Sequence, residues 1–158
     1  MPLFKKILVP VDGSSTSNKA LDYALLMAKD AHSQVRFIHA IDELGYLSSY
    51  EYSGELMATA HKNGTTVLQA AMVAAQAANV PADTHLIDTP GQRLGQTVAD
   101  EAVNWKADLI VLGTHGRRGV GRVLLGKMLA LLLIALPLGL VLQLMMVVAH
   151  GSWGDLPI

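Results

Sequence analysis

The chain has 158 residues, enough for one domain with a substantial core. Its formal net charge is -1, from 12 basic and 13 acidic residues, so nothing global draws it to nucleic acid or to an anionic membrane surface. Cysteine is absent, which excludes disulfides, thiolate metal sites and a cysteine nucleophile, and suits a reducing cytoplasm.

Met1-Pro2-Leu3-Phe4-Lys5-Lys6 leads directly into Ile7-Leu8-Val9-Pro10-Val11, with no long apolar leader, so a cytoplasmic chain is expected. That apolar, β-branched run predicts a first strand buried on both faces. Asp12-Gly13-Ser14-Ser15 reads as a turn whose serines cap a helix. In that helix Ala20, Leu21, Ala24, Leu25 and Ala28 share one face. Val35 to Ile41 predicts the second strand, and residues 43–54 a loop. From Glu55 to about Ala78 the pattern is helical, with Asn63-Gly64-Thr65 expected to be a turn or helix break. Thr84 to Ile87 predicts a third strand. Leu94 to Trp105 predicts a helix in which Val98, Ala102 and Trp105 share a face, and Ala107 to Gly113 a fourth strand.

Strands alternating with helices at these spacings require crossover connections. The expected class is α/β, an open, mostly parallel twisted sheet with helices on both faces. In such sheets ligands bind beyond the carboxyl ends of the strands, where strand order reverses. Two turns fall there, 12–15 and 113–126.

The second of these holds four glycines and three arginines between Gly113 and Arg122. Glycine lets backbone amides approach a ligand without a Cβ in the way, and consecutive amides in such turns form anion-binding concavities. The helix expected near Gly126 adds its positive dipole end, and arginine grips phosphate oxygens with paired donors. The other reading is a glycine-rich loop with solvated arginines. The run is neither a G-x-x-x-x-G-K-[ST] phosphate loop nor a G-x-G-x-x-G dinucleotide turn. Asp12, at the end of the first strand, suits a ribose hydroxyl or a divalent cation bridging phosphates; turn formation and helix capping suit it equally. His115 lies inside the glycine loop, within approach of a phosphate. His39, at a strand end, reads as a packed, hydrogen-bonded residue rather than a ligand. No histidine pair has metal-ligand spacing, and no nucleophile–base–acid set can be assembled.

Taken together, these segments resemble the universal stress protein family. Lys6-Ile7-Leu8-Val9-Pro10-Val11-Asp12-Gly13-Ser14 is similar to its opening, and His39-Ala40-Ile41-Asp42 to the close of its second strand. Asp108 to Arg117, continued through Leu124-Leu125-Gly126, resembles its signature region, in which nucleotide-binding members carry G-x2-G-x9-G-[ST]. Gly113, Gly116 and Gly126 fall at that spacing. The resemblance covers about residues 3–126 and implies a Rossmann-like fold of the adenine-nucleotide α-hydrolase type. It implies that Pro10, Val11, Asp12 and Ala40 surround the base and ribose of ATP, with Gly113 beside the ribose. It also implies that Gly116, Arg117 and Gly126 face the phosphates, with Asp12 meeting Mg2+ through the nucleotide. The family's last letter is missing, because Lys127 stands where serine or threonine is expected. Lysine is a flexible point charge that can hold a terminal phosphate but offers no hydroxyl to a metal.

A stretch from Met128 to Ala149 has 22 residues without a charge. The family resemblance implies a helix, a turn near Pro137 and a strand from about Leu140 to Val148 that completes the domain begun by residues 1–126. Length alone permits a membrane anchor, with Arg117, Arg118, Arg122 and Lys127 on the cytoplasmic side, and an altered ending is a third reading. The expected function is a cytoplasmic stress-response module that binds an adenine nucleotide and acts as a homodimer. The alternative is an interaction protein of the same fold that binds no nucleotide, because of Lys127. Slow ATP hydrolysis or self-phosphorylation is a third class, for which the sequence shows no catalytic base.

Overall fold

The computed structural model describes residues 4–41, 54–89, 91–113 and 145–149. In chain order these form β1 (Lys6–Pro10), α1 (Ser15–Ala31), β2 (Gln34–Ala40), α2 (Gly54–Ala77), β3 (Ala82–Ile87), α3 (Leu94–Trp105), β4 (Leu109–Gly113) and β5 (Met145–Ala149). The five strands make one sheet in the order β3-β2-β1-β4-β5, and every pairing is parallel. The expected α/β class is the one observed.

Alternation along the strands explains the two layers. Ile7, Val9, Val35, Phe37, Leu109 and Val111 point to one face, where they pack with Ala20, Leu21, Ala24, Leu25 and Ala28 of α1 and Leu68, Ala71 and Ala75 of α2. Leu8, Ile38, Ile110 and Leu112 point to the other, against Val98, Ala99, Ala102 and Trp105 of α3. Both faces are covered, which is why these strands read as unbroken apolar runs.

Strand order reverses at β1. The chain moves outward from β1 to β2 and β3, then returns to β4 on β1's other side. The carboxyl ends of β1 and β4 therefore flank the switch point. Pro10 shapes this end of the sheet. Odd-numbered residues of β1 pair with β2, as the Val11 N–H to Ile38 carbonyl bond (2.8 Å) shows, so even-numbered ones face β4. Pro10 is even-numbered and has no N–H to donate. The β1–β4 register stops at Leu8↔Ile110, whereas β4 continues beside β5 as far as Gly113↔Ala149.

The end of β4 is held against the first turn of α1. A Cβ on Gly113 would lie 2.7 Å from both the carbonyl carbon and oxygen of Thr16, and 2.9 Å from the Ser17 nitrogen. Those are main-chain atoms and cannot rotate aside.

Several sequence boundaries move. The expected break at Asn63-Gly64-Thr65 is not formed: α2 runs unbroken through it, and Gly64 is buried there because the His39 ring and Leu86 press on it. A Cβ at Gly64 would lie 2.6 Å from Leu86 Cδ1 and 2.7 Å from His39 Cδ2. The third strand starts two residues earlier than expected, at Ala82, carried by its pairing with β2. The fourth starts two residues later. Ala107 is tied back to Ala102 in the cap of α3, while the Asp108 carboxylate accepts from the Lys5 and Lys6 amides at 2.8 and 2.9 Å. The last strand, expected from about Leu140 to Val148, is observed over Met145–Ala149, and its expected first residues lie outside the described ones. Met145–Ala149 pairs with β4 in the sheet, and no helix among the described residues is long and apolar enough to cross a membrane. The loop expected at 43–54 lies outside the described residues apart from Gly54, the first residue of α2.

An ion-pair cluster ties α3 to the sheet. Arg36 donates to both oxygens of Asp83 (2.7 and 2.8 Å) and to Glu101 (3.0 Å), with its guanidinium over the Trp105 ring at 4.7 Å. The hydrogen bond to Asp83 raises the Arg36 pKa; burial opposes this, and Glu101 adds to the rise. Stability from this raised pKa is fully present below the ordinary arginine range and is lost only as pH climbs through the raised value, far above neutrality.

Two stability measurements follow from these contacts. In urea unfolding, Gly113→Ala is expected to lower stability by about 2–3 kcal/mol through main-chain overpacking. Gly54→Ala, with nothing within 4 Å of the added methyl, is the control expected to change little. Arg36→Met is expected to cost about 2 kcal/mol, less than a fully buried pair because the guanidinium is partly solvated. An unchanged midpoint would show that the cluster adds no net stability.

Candidate functional site

At the switch point the chain leaves β1 through a turn built by its own hydrogen bonds. The Val11 N–H donates to Ile38, and the Asp12 N–H donates to the Ser17 hydroxyl at 3.1 Å. Asp12 Oδ1 accepts from the Ser14 N–H at 2.9 Å, closing a short side-chain turn. Gly13 sits at φ +77°, a conformation only glycine adopts without strain. Ser14 then caps α1, its hydroxyl accepting from the Ser17 N–H at 3.2 Å. A cap of this kind contributes about 1 kcal/mol. The capping role read for Ser14 is the one observed, and Ser15 becomes the first helical residue.

The structure brings five of the expected site residues to this end of the sheet. Pro10 ends β1 and Val11 and Asp12 follow it directly, Ala40 ends β2 and Gly113 ends β4. Val11 is buried, whereas Pro10, Asp12, Ala40 and Gly113 are partly open. Even-numbered residues of β2 turn their main-chain groups toward β1, as the Gln34 N–H to Lys5 carbonyl bond (2.9 Å) shows. Ala40 therefore directs an N–H and a C=O past the last rung, Pro10↔Ile38, toward the space where β1 has turned away. His115, Gly116, Arg117, Gly126 and Lys127 lie outside the described residues.

Two residues of this end were not read as site residues from the sequence. Ser17 is buried and carries the turn through its hydroxyl; the Ser14-x-x-Ser17 spacing was the available signal. His39 has its Nδ1 2.7 Å from the Val11 carbonyl, in line with the packed, hydrogen-bonded role read for it. A second histidine pair, His61 with Asp88 at 2.8 Å, joins α2 to the segment after β3. Among the described residues no three His, Asp or Glu side chains could hold a metal ion on their own. A groove of about 440 Å³ opens beside the turn, lined by Val11 and Gly13, by Leu21 and Asp22 of α1, and by Val67 and Ala71 of α2. It lies on the α1–α2 face rather than in the switch-point crevice.

Chemically, the crevice offers a strand-edge donor and acceptor, a carboxylate, a helix N-terminus with no acidic residue in its first turn, and a Cβ-free approach at Gly113. That set suits a flat heterocycle with a sugar and an anionic group.

Comparison with known proteins agrees with this geometry. The universal stress protein family model matches residues 3–131. A universal stress protein of Methanocaldococcus jannaschii is 31% identical over 131 residues, covering 79% of this chain and 73% of that protein. Among solved structures, a universal stress protein family member from Burkholderia pseudomallei superposes with a TM-score of 0.70 at 24% identity, over 93% of this chain and 98% of that one. A universal stress protein in complex with cAMP gives 0.63 at 19% identity, over 94% and 98% of the two chains. One from Arabidopsis thaliana with AMP bound gives 0.60 at 13% identity, over 93% of each. The family model spans most of the chain and the archaeal relative passes 30% identity over more than two thirds of each protein, and the chain belongs to the universal stress protein family.

Proposed function

We propose that this protein is a cytoplasmic stress-response module that binds an adenine nucleotide, ATP with Mg2+, across the carboxyl ends of β2, β1 and β4. The observation that carries the reading is the prebuilt Val11–Ser14 turn beside Gly113, at the point where strand order reverses. In this reading the Ala40 main chain meets the base edge, with Pro10 and Val11 against the base. Asp12 takes the ribose or the nucleotide-bound cation, and Gly113 lets the sugar approach. The loop from His115 through Gly116 and Arg117 to Gly126 and Lys127 takes the phosphates. The related structures with cAMP and AMP support an adenine ligand. Among the described strands β5 lies at the edge of the sheet, which supports assembly as a homodimer.

Isothermal titration with Mg-ATP is expected to give saturable heat, and sedimentation of the same sample a mass of two chains. Neither heat nor a thermal shift at millimolar nucleotide would remove the binding claim, and a single-chain mass the dimer. Asp12→Asn keeps the acceptor for the Ser14 N–H but removes the charge. It is expected to weaken Mg-ATP about tenfold while leaving adenosine nearly unchanged. Equal losses for both ligands would remove the cation role and leave Asp12 to the ribose or the turn.

The alternative, an interaction protein without a nucleotide, rests on Lys127. Lys127→Ser is expected to strengthen ATP binding, because a hydroxyl can serve both phosphate and metal. Unchanged affinity would show that this substitution does not limit the site.

A further inference from the structure

His39 is a titratable group at the strand ends that the proposed site does not use. Its Nδ1 lies 2.7 Å from the Val11 carbonyl oxygen. A carbonyl only accepts, so Nδ1 carries the proton and donates. The ring is held edge-on against α2, where glycine leaves room: a Cβ at Gly64 would come within 2.7 Å of Cδ2 and 3.3 Å of Nε2.

The parallel register gives this contact a consequence. Ile38, in register with Pro10, accepts from the Val11 N–H. Continuing the same ladder by one step would have the Ala40 N–H donate to the Val11 carbonyl. That carbonyl is instead taken by the side chain of the residue immediately before Ala40. Beyond it the chain turns, with the Asp12 N–H going to Ser17.

We propose that His39 is a positioning residue: its Nδ1–H holds the Val11 carbonyl turned out of line for a further rung with Ala40, leaving the Ala40 N–H directed at a ligand. The identity of that ligand rests on the adenine-nucleotide reading above; the diversion of the rung does not. Gly64 belongs to the same device, since only a residue without a Cβ lets the imidazole reach its place.

The test compares the intact chain with His39→Leu and His39→Asn by NMR and by AMP titration. Asparagine places an amide N–H close to where Nδ1 stands, whereas leucine fills the space without a donor. In the wild type, ¹⁵N spectra are expected to show the Nδ1–H tautomer, and the Ala40 amide to exchange rapidly in the free protein. His39→Leu is expected to slow Ala40 exchange at least tenfold and to weaken AMP about tenfold, the loss of one hydrogen bond to the ligand. His39→Asn is expected to restore both. Should the leucine variant fold poorly, Gly64→Ala crowds the ring with the imidazole intact and is expected to move both readouts the same way. An Nε2–H tautomer, Ala40 protection that is equal in all variants, or an affinity loss without gained protection would each overturn the proposal. If no variant and not the wild type binds AMP, the nucleotide reading fails, while the tautomer and the exchange contrast still decide the role of His39.

Discussion

The arrangement at the carboxyl end of the sheet depends on one missing amide hydrogen. Pro10 closes β1 on the side that faces β4, and without a donor the pairing between these central strands cannot continue in register past Leu8↔Ile110. β4 meanwhile runs on to Gly113 against β5. A central strand that leaves the sheet before its neighbours leaves a crevice with main-chain walls. The same proline, within an otherwise apolar run, costs the core little, because Ile7, Leu8 and Val9 are already fully buried below it.

What happens after Pro10 converts that crevice into a defined site. The Val11 amide and carbonyl are both engaged, Asp12 folds its carboxylate onto the Ser14 amide, and Ser17 reaches back to the Asp12 amide. A turn with this many internal partners is held by its own hydrogen bonds, which in the proposed reading lowers the entropic cost of binding. Its rigidity also comes from outside: Gly113 lets the end of β4 lie directly on the first turn of α1. The glycines of this site thus act through close approach at 113 and positive φ at 13, two different properties of the same residue type.

Much of the architecture was legible in the chain. The buried stripe Ala20, Leu21, Ala24, Leu25 and Ala28 is the face observed, and α3 keeps its expected limits, because a 3.6-residue period against a covered sheet has one solution. Strand ends were less legible. Ala82 and Asp83 join β3 through partners in β2, and Ala107 and Asp108 are drawn into a helix cap and a carboxylate contact, none of which is local in sequence. Gly64 was misread for the same reason. Helix propensity counts it as a weak point, but packing makes it the residue that admits the His39 ring.

The sequence by itself determined the α/β class, the family, the Asp12 turn and the spacing of Gly113, Gly116 and Gly126, because each is written in residues close together or in a regular period. The order of the strands, the early end of the β1–β4 pairing, the buried hydroxyl of Ser17 and the imidazole on the Val11 carbonyl were decided only by the tertiary structure. These depend on groups from separate elements meeting at one end of the sheet, and no periodicity records which carbonyl a distant side chain will reach.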